Sequence, residues 1–166
     1  MTQGYISIGS NIDQNKYIPA GLQALDRCFG KLSISSIYES AAVGFAGDSF
    51  YNLIVGFNSA LDVKQVAKKL RQIELDNGRT HDSQKFSART LDLDLILYGD
   101  LIINDGRLRI PRDEIERYAF VLEPLAEIAP TLKHPIKHLS YAELWEKFDK
   151  NGLQQHRITP AWASAE

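Results

Sequence analysis

Two aspartates in a D-x-D spacing are the residues of this chain best suited to do chemistry. They lie in the stretch RTLDLDLILYGD at 89–100, where leucines alternate with other residues from Leu91 to Leu97. Strict alternation is the period of a β-strand, so Asp92 and Asp94 are predicted to share one face, about 6.5–7 Å apart along the strand. Aspartate is unfavourable in strands, and two like charges this close repel each other. A divalent cation would relieve the repulsion, and Mg²⁺ typically binds one or two carboxylates together with substrate phosphates.

The alternation divides this strand into two predicted faces. One face carries only leucines, and the other carries both aspartates with two large apolar residues. The predicted faces are Leu91, Leu93, Leu95 and Leu97 on one side, and Asp92, Asp94, Ile96 and Tyr98 on the other. An exposed strand whose polar face happens to carry two aspartates is the alternative to a metal site, because D-x-D also occurs by chance.

A polar segment that precedes the strand adds positive charge. Residues 78–88 read GRTHDSQKFSA, which includes Arg79 and Lys85, and Arg89 follows at once. Arginine and lysine both pair with phosphate oxygens, and arginine can form two parallel hydrogen bonds to them. Basic residues that lead into a carboxylate pair are what metal-assisted phosphate chemistry needs, so we expect an active site here.

The composition is that of a globular protein of 166 residues, 44% hydrophobic and 24% charged, with a net charge of −2. The length predicts one domain, and the charge offers no general attraction for nucleic acid or an anionic membrane. Cys28 is the single cysteine, which excludes an internal disulfide. Since the N-terminus does not resemble a signal peptide and no apolar run is long enough to cross a bilayer, we expect a cytoplasmic protein.

The elements expected around the aspartate strand follow the order β-α-β-β-α-β. Strands are predicted at 4–8, 32–38, 50–60 and 91–97, and helices at 18–29 and after a capping box at Asp62 and Gln65. This order is typical of the ferredoxin-like fold, an α+β architecture with helices packed on an antiparallel sheet. A hairpin at 101–109, an apolar segment at 120–128 and a helix at 140–148 are expected to follow. Residues from about 151 are expected to form a weakly ordered tail of a single domain spanning 1–166.

Other residues that could bind ligands give weaker signals. The chain contains neither a P-loop nor a dinucleotide-binding glycine motif, and Gly9-Ser10-Asn11 is more simply explained as a turn. His134 and His138 are four residues apart, but Pro135 argues against one helical face and hence against a zinc site. Glu74 is expected to form a surface ion pair.

Seven short segments, in order along the chain, are similar to one known family. They are YISIGSN at 5–11, SSIYES with the glycine-containing loop that follows it at 35–47, FYN at 50–52, LRQIELDNGR at 70–79, ARTLDLDLILYGD at 88–100, IP at 110–111 and FVLEPLAEIAP at 120–130. Taken together and in this order, they resemble the 6-hydroxymethyl-7,8-dihydropterin pyrophosphokinases of folate biosynthesis. The resemblance implies a ferredoxin-like fold and an enzyme that transfers the β,γ-pyrophosphoryl group of ATP to the hydroxymethyl oxygen of the pterin, releasing AMP.

The resemblance also implies roles for individual residues. Two Mg²⁺ ions would be bound by Asp92 and Asp94, with ATP oxygens completing their coordination. The catalytic residues would be Arg79, Arg89, Asp92 and Asp94, and those that bind ATP would be Arg79, Lys85, Arg89, Arg112 and Arg117. Those that bind the pterin would be Ala41, Val43, Gly44, Phe50, Asn52, Phe86 and Phe120, with the aromatics Phe50 and Phe120 on the two faces of the ring and Asn52 at its edge.

Several positions depart from the family pattern, among them Lys85, which stands where arginine is usual, and Ala41 and Ala42, where prolines are frequent. Phe86 stands where the family usually has tryptophan, Arg112 where it has histidine, and Tyr118 where it has arginine. A divergent paralogue that acts as a pterin-binding or regulatory module with little transfer activity is therefore the alternative function. A metal-dependent phosphohydrolase is a further alternative, but no histidine lies next to the aspartates in sequence. The expected partners are the two small substrates, with no nucleic acid or membrane, and the chain is expected to be a monomer.

Overall fold

Antiparallel strands form the centre of the computed structural model, which describes residues 1–40, 49–78 and 90–163. In chain order the strands are β1 Thr2–Ser10, β2 Ser33–Ile34, β3 Ile37–Ser40, β4 Phe50–Ser59, β5 Asp92–Tyr98, β6 Ile103–Asp105, β7 Leu108–Ile110 and β8 Gln155–Ile158. The main sheet has the order β5-β1-β4-β3-β8, and β2 also pairs with β4. The separate hairpin of β6 and β7 confirms the one predicted at 101–109.

The helices pack on both faces of this sheet. They are α1 Gln14–Phe29, α2 Val63–Asp76, α3 Glu114–Arg117, α4 Ala119–Ile128 and α5 Tyr141–Lys147. One hydrophobic cluster lies between the sheet and α1 and α2, and a second lies between the sheet and α3, α4 and α5. The predicted capping box begins α2, because the Asp62 carboxylate accepts from the Gln65 N–H while the Gln65 side chain accepts from the Asp62 N–H. Among the described helices, none is long and apolar enough to cross a membrane.

The order of elements confirms the ferredoxin-like prediction. The predicted strand at 32–38 is divided into β2 and β3, and the first four strands of the sheet, β5-β1-β4-β3, have the arrangement that a β-α-β-β-α-β unit adopts. This arrangement places β1 and β4 in the middle and β5 at an edge. The two aspartates therefore lie on an edge strand, next to β1.

A β-bulge in β5 changes the predicted faces beyond the aspartates. The pairing of β1 with β5 shifts between Tyr5 and Ile6, which leaves Ile96 as the extra residue. After the bulge, Leu97 packs in the cluster under α4, and Tyr98 packs in the cluster under α1 and α2. The predicted faces of Leu97 and Tyr98 are therefore wrong, because alternation assumes an uninterrupted pleat. The aspartates precede the bulge and keep the predicted face.

The C-terminal residues also differ from expectation. Gln155–Ile158 pairs with β3 and becomes an edge strand, where a weakly ordered tail was expected. Further on, the Trp162 Nε1–H donates to the Asn15 Oδ1 at 2.8 Å and so ties the end of the described chain to α1. A strand of four mostly polar residues has little hydrophobic pattern, so the sequence did not predict it. Backbone pairing with the open edge of β3 forms it instead.

His134 is buried in the connection between α4 and α5, where its ring accepts hydrogen bonds from the backbone. The Nδ1 accepts from the N–H groups of Ile136 and Lys137, both at 3.1 Å. Burial lowers the pKa of His134, and Lys137 and His138 add to this effect, whereas the Glu116 carboxylate 3.8 Å from Nε2 opposes it. The fold therefore holds the neutral ring, with Nδ1 as an acceptor.

The neutral His134 makes stability depend on pH. Its folded pKa lies below its unfolded value of about 6.5, so its contribution is present above that pH and is lost as the pH falls below it. We expect urea unfolding at pH 7.5 and pH 5 to show a smaller acid loss in His134→Asn, whose Oδ1 can replace Nδ1 as acceptor. His138→Asn is the comparison, because His138 is exposed and only adds to the effect of burial on the His134 pKa, so its acid loss should fall much less than in His134→Asn. Equal acid losses in wild type and His134→Asn would contradict this assignment.

Candidate active site

The two aspartates occupy the first half of β5, on the face of the sheet that α4 covers. Asp92 lies opposite Gly9 of β1, and Asp94 lies opposite Ser7. Both side chains are partly buried. Burial and the neighbouring Asp92 charge raise the pKa of Asp94 to about 8, against the opposing effect of the Arg112 guanidinium. Among the described residues, the effects that raise the pKa of Asp94 therefore outweigh that of Arg112.

This donor set fits a divalent cation. Carboxylate oxygens are hard ligands of the kind that Mg²⁺ prefers, and a cation would relieve the repulsion that raises the Asp94 pKa. Within residues 1–40, 49–78 and 90–163, no group of three or more His, Cys, Asp or Glu side chains is placed to hold a metal. A pair of carboxylates leaves most positions of an octahedral shell for water and substrate oxygens, which is the usual way in which Mg²⁺ binds at phosphate-transfer sites.

In the described part of the chain, Arg112 brings positive charge to the aspartates. Its backbone N–H donates to the carbonyl of Ile96 at 3.1 Å, which attaches it to the bulge of β5. Its guanidinium donates to the Glu114 carboxylate at 2.6 Å and lowers the Asp94 pKa. Arg117, another of the arginines predicted to bind ATP, is exposed and has a different set of partners. It pairs with Asp113 at 3.0 Å and donates to the Tyr118 hydroxyl at 3.1 Å.

Asn52 lies in the same cross-strand row as Asp92. Gly9 of β1 pairs with Asn52 on one side and with Asp92 on the other. Two interstrand spacings therefore separate their backbones, about 10 Å. A Cβ atom at Gly9 would lie 3.0 Å from the Asn52 Oδ1, so the glycine leaves room for the amide between the strands. The Asn52 side chain is buried, and its Nδ2 donates to the Ser40 Oγ at 3.3 Å.

Phe50 and Phe120 belong to the same side of the sheet. Phe50 is two residues before Asn52 on β4 and pairs with Ser40 of β3. Phe120 is in the first turn of α4, the helix that covers this face, and its ring stacks on Tyr118 with centroids 4.9 Å apart and planes 17° apart. Where the family pattern has an arginine, Tyr118 thus adds an aromatic layer to Phe120. The predicted residues Ala41, Val43, Gly44, Arg79, Lys85, Phe86 and Arg89 lie outside the described residues.

Glu74 is buried, although it was expected to form an ion pair at the surface. It lies near the end of α2, only 5% exposed, and its Oε2 accepts from the backbone N–H of Leu93 at 2.8 Å. Leu93 is the residue between the two aspartates, so Glu74 holds that part of the edge strand. Arg71 is 3.6 Å from the other carboxylate oxygen. The expected surface position is therefore wrong, and the adjacent core residue Ile73 was the available signal that this part of α2 faces the sheet.

Removing Glu74 should cost stability. We expect Glu74→Ala to lower the free energy of unfolding by about 2 kcal/mol, because the buried Leu93 N–H loses its acceptor. Glu74→Gln should lose clearly less, since its amide oxygen can still accept. Glu146→Ala on the exposed side of α5 is the control for a glutamate removed from a helix. Urea unfolding measures all three, and equal losses in Glu74→Ala and Glu74→Gln would show that the charge matters more than the acceptor.

Comparison with known proteins gives the same family that the sequence segments suggested. The family model described as 7,8-dihydro-6-hydroxymethylpterin-pyrophosphokinase (HPPK) matches residues 5–130. The 2-amino-4-hydroxy-6-hydroxymethyldihydropteridine pyrophosphokinase of Aquifex aeolicus is 32% identical over 138 residues, which cover 82% of this chain and 86% of the relative. The folic acid synthesis protein fol1 of Pneumocystis carinii is 36% identical over 162 residues, 94% of this chain.

A solved structure agrees at the level of the fold. The HPPK-DHPS of Plasmodium falciparum, wild type with SDX-DHP, superposes with a TM-score of 0.75 at 13% identity and covers 96% of this chain. This chain spans 48% of that structure and 21% of the Pneumocystis relative, so both of those proteins are much longer. The family match over most of the chain, together with the bacterial relative of similar length, shows that the chain belongs to the 7,8-dihydro-6-hydroxymethylpterin-pyrophosphokinase (HPPK) family.

Proposed function

We propose that this chain binds ATP and 6-hydroxymethyl-7,8-dihydropterin on the sheet face that carries Asp92, Asp94 and Asn52. As a member of the family it is an enzyme, a pyrophosphokinase that transfers pyrophosphate from ATP in folate biosynthesis. The observation that carries the proposal is the cross-strand row of Asp92, Gly9 and Asn52. The backbones of Asp92 and the buried Asn52 lie about 10 Å apart in this row, a distance that a pterin ring and its hydroxymethyl group can span.

In this proposal the transfer depends on positioning and charge. The pterin hydroxymethyl oxygen attacks the β-phosphorus of ATP, the bond from that phosphorus to the α,β-bridging oxygen breaks, AMP leaves with that oxygen, and the hydroxyl proton passes to water. Asp92 and Asp94 would hold two Mg²⁺ ions, which neutralise phosphate charge when bound. Arg112 adds a fixed cation beside the pair. Holding both substrates in line contributes much of the acceleration in reactions of this kind.

The pterin would lie flat between Phe50 and Phe120, with its polar edge at Asn52. Aromatic faces suit a flat heterocycle, and a buried amide can both donate to and accept from its edge. We propose that Arg79, Lys85, Arg89 and Arg117 bind ATP phosphates and that Ala41, Val43, Gly44 and Phe86 contact the pterin. We further propose that the chain forms a single domain and acts as a monomer in the cytoplasm.

One coupled measurement tests the function. The chain is incubated with ATP, Mg²⁺ and 6-hydroxymethyl-7,8-dihydropterin, AMP is quantified by chromatography, and the modified pterin is identified by mass. We expect AMP and pterin diphosphate in equal amounts, and neither product after chelation of Mg²⁺. AMP formed equally well without pterin would indicate a hydrolase. Pterin binding without AMP would indicate a binding module.

A further inference from the structure

Gln155 of β8 makes the polar connection between the C-terminal strand and α4. Its side-chain Nε2 donates to the carbonyl of Ala119 at 3.1 Å and to the Glu123 Oε1 at 2.7 Å. An amide nitrogen has two hydrogens, so these bonds use the full donor capacity of the group. The strand follows the 5–130 region that matches the family model. Gln155 itself thus lies beyond the residues that match the family model, whereas its two partners, Ala119 and Glu123, lie within them.

Gln155 is connected to both aromatic residues of the proposed pterin site, to Phe50 through strand pairing and to Phe120 through a side-chain hydrogen bond to the residue before it. Its backbone pairs with Ser40 of β3, and Ser40 pairs with Phe50 of β4, so the three residues form one cross-strand row. Its side chain holds the carbonyl of Ala119, the residue immediately before Phe120. Gln155 therefore links the strand row of Phe50 to the helical turn of Phe120. The Ser40 hydroxyl in the same row accepts from Asn52, the proposed edge contact.

We propose that Gln155 is a positioning residue that sets the distance between the Phe50 and Phe120 rings for a flat heterocycle. This inference rests on the proposed function, because it needs both rings to contact the pterin. Carbon atoms attract best at about 3.5–4.0 Å, so two rings that hold a flat ligand must lie about 7 Å apart. A gap of 0.5–1 Å beyond the optimum already forfeits roughly a quarter to a half of that attraction. A bond that holds the first turn of α4 can therefore control affinity for the ring without touching it.

The test compares the same substitution at two neighbouring glutamines. Gln154 precedes β8, is exposed, and is the matched control for Gln155. The pterin is titrated by calorimetry in the presence of Mg²⁺ and the α,β-methylene analogue of ATP, which cannot release AMP. The analogue is titrated separately without pterin. We expect Gln155→Ala to weaken pterin binding by roughly five- to tenfold and to leave analogue binding unchanged within about twofold. Gln154→Ala should change neither affinity.

A second variant separates positioning from strand stability. Gln155→Glu keeps the size and the backbone pairing of the residue but places an acceptor against the Ala119 carbonyl and the Glu123 carboxylate. It should weaken pterin binding at least as much as Gln155→Ala. Native pterin affinity in either variant would overturn the positioning role, and so would equal losses for pterin and analogue together with a lower melting temperature. Absence of pterin binding by the wild-type chain would overturn the proposed function as well, and it would be seen before any variant is compared.

Discussion

Asp94→Asn will lower kcat by about three orders of magnitude, which corresponds to ~4 kcal/mol of transition-state stabilisation. Asparagine has the size of aspartate but lacks the charge that we propose holds Mg²⁺ against the transferring phosphate. The fold should not suffer, because burial and Asp92 already raise the pKa of Asp94 and make its charge unfavourable without a cation. The measurement is AMP formation at saturating substrates over a range of Mg²⁺ concentrations, with a thermal melt of each protein.

The control for this variant lies at the end of the same segment. Asp100 is an exposed residue of the turn after β5, and Asp100→Asn should keep the kcat and the Mg²⁺ dependence of the wild type. Near-native turnover of Asp94→Asn at saturating Mg²⁺ would contradict the metal assignment. A large fall in melting temperature would instead show that Asp94 supports the strand.

Phe120→Ala is expected to weaken pterin binding by about a hundredfold, ~3 kcal/mol, from the apolar area lost and the stacking preference lost with the ring. Affinity for the α,β-methylene analogue of ATP should change by no more than about twofold, because in the proposed site the ring contacts the heterocycle and not the phosphates. Tyr118 loses its stacking partner in this variant, so some loss of stability is also expected. Calorimetric titrations of both ligands measure the difference.

A matched aromatic on the opposite face of the sheet controls for packing. Phe29 of α1 is partly buried and packs against Phe57 with ring centroids 4.5 Å apart. Phe29→Ala removes a comparable aromatic pair and should leave pterin affinity unchanged. Similar losses for both ligands in Phe120→Ala, or a similar pterin loss in Phe29→Ala, would attribute the effect to general packing.

The local features of the site could be predicted from the sequence because they depend on neighbours along the chain. Alternation from Leu91 placed Asp92 and Asp94 on one face, and the capping residues marked the start of α2. The order of the elements indicated the fold, since a β-α-β-β-α-β unit has few ways to bury both helices on one sheet. The roles of Phe50, Asn52 and Phe120 came from the family resemblance, because nothing in their local pattern distinguishes them from core residues.

Other features depend on residues that are far apart in the chain, and only the tertiary structure decided them. The bulge at Ile96 reverses the faces of Leu97 and Tyr98, and its position follows from how β5 pairs with β1. The burial of Glu74 follows from the packing of α2 beside the edge strand. Register across three strands put Asp92, Gly9 and Asn52 in one row. Gln155 reaches Ala119 only because β8 pairs with the open edge of β3. The periodicity of a segment indicates which of its residues face the core. Strand register and edge pairing are set instead by partners distant in sequence, so no local sequence pattern predicts them.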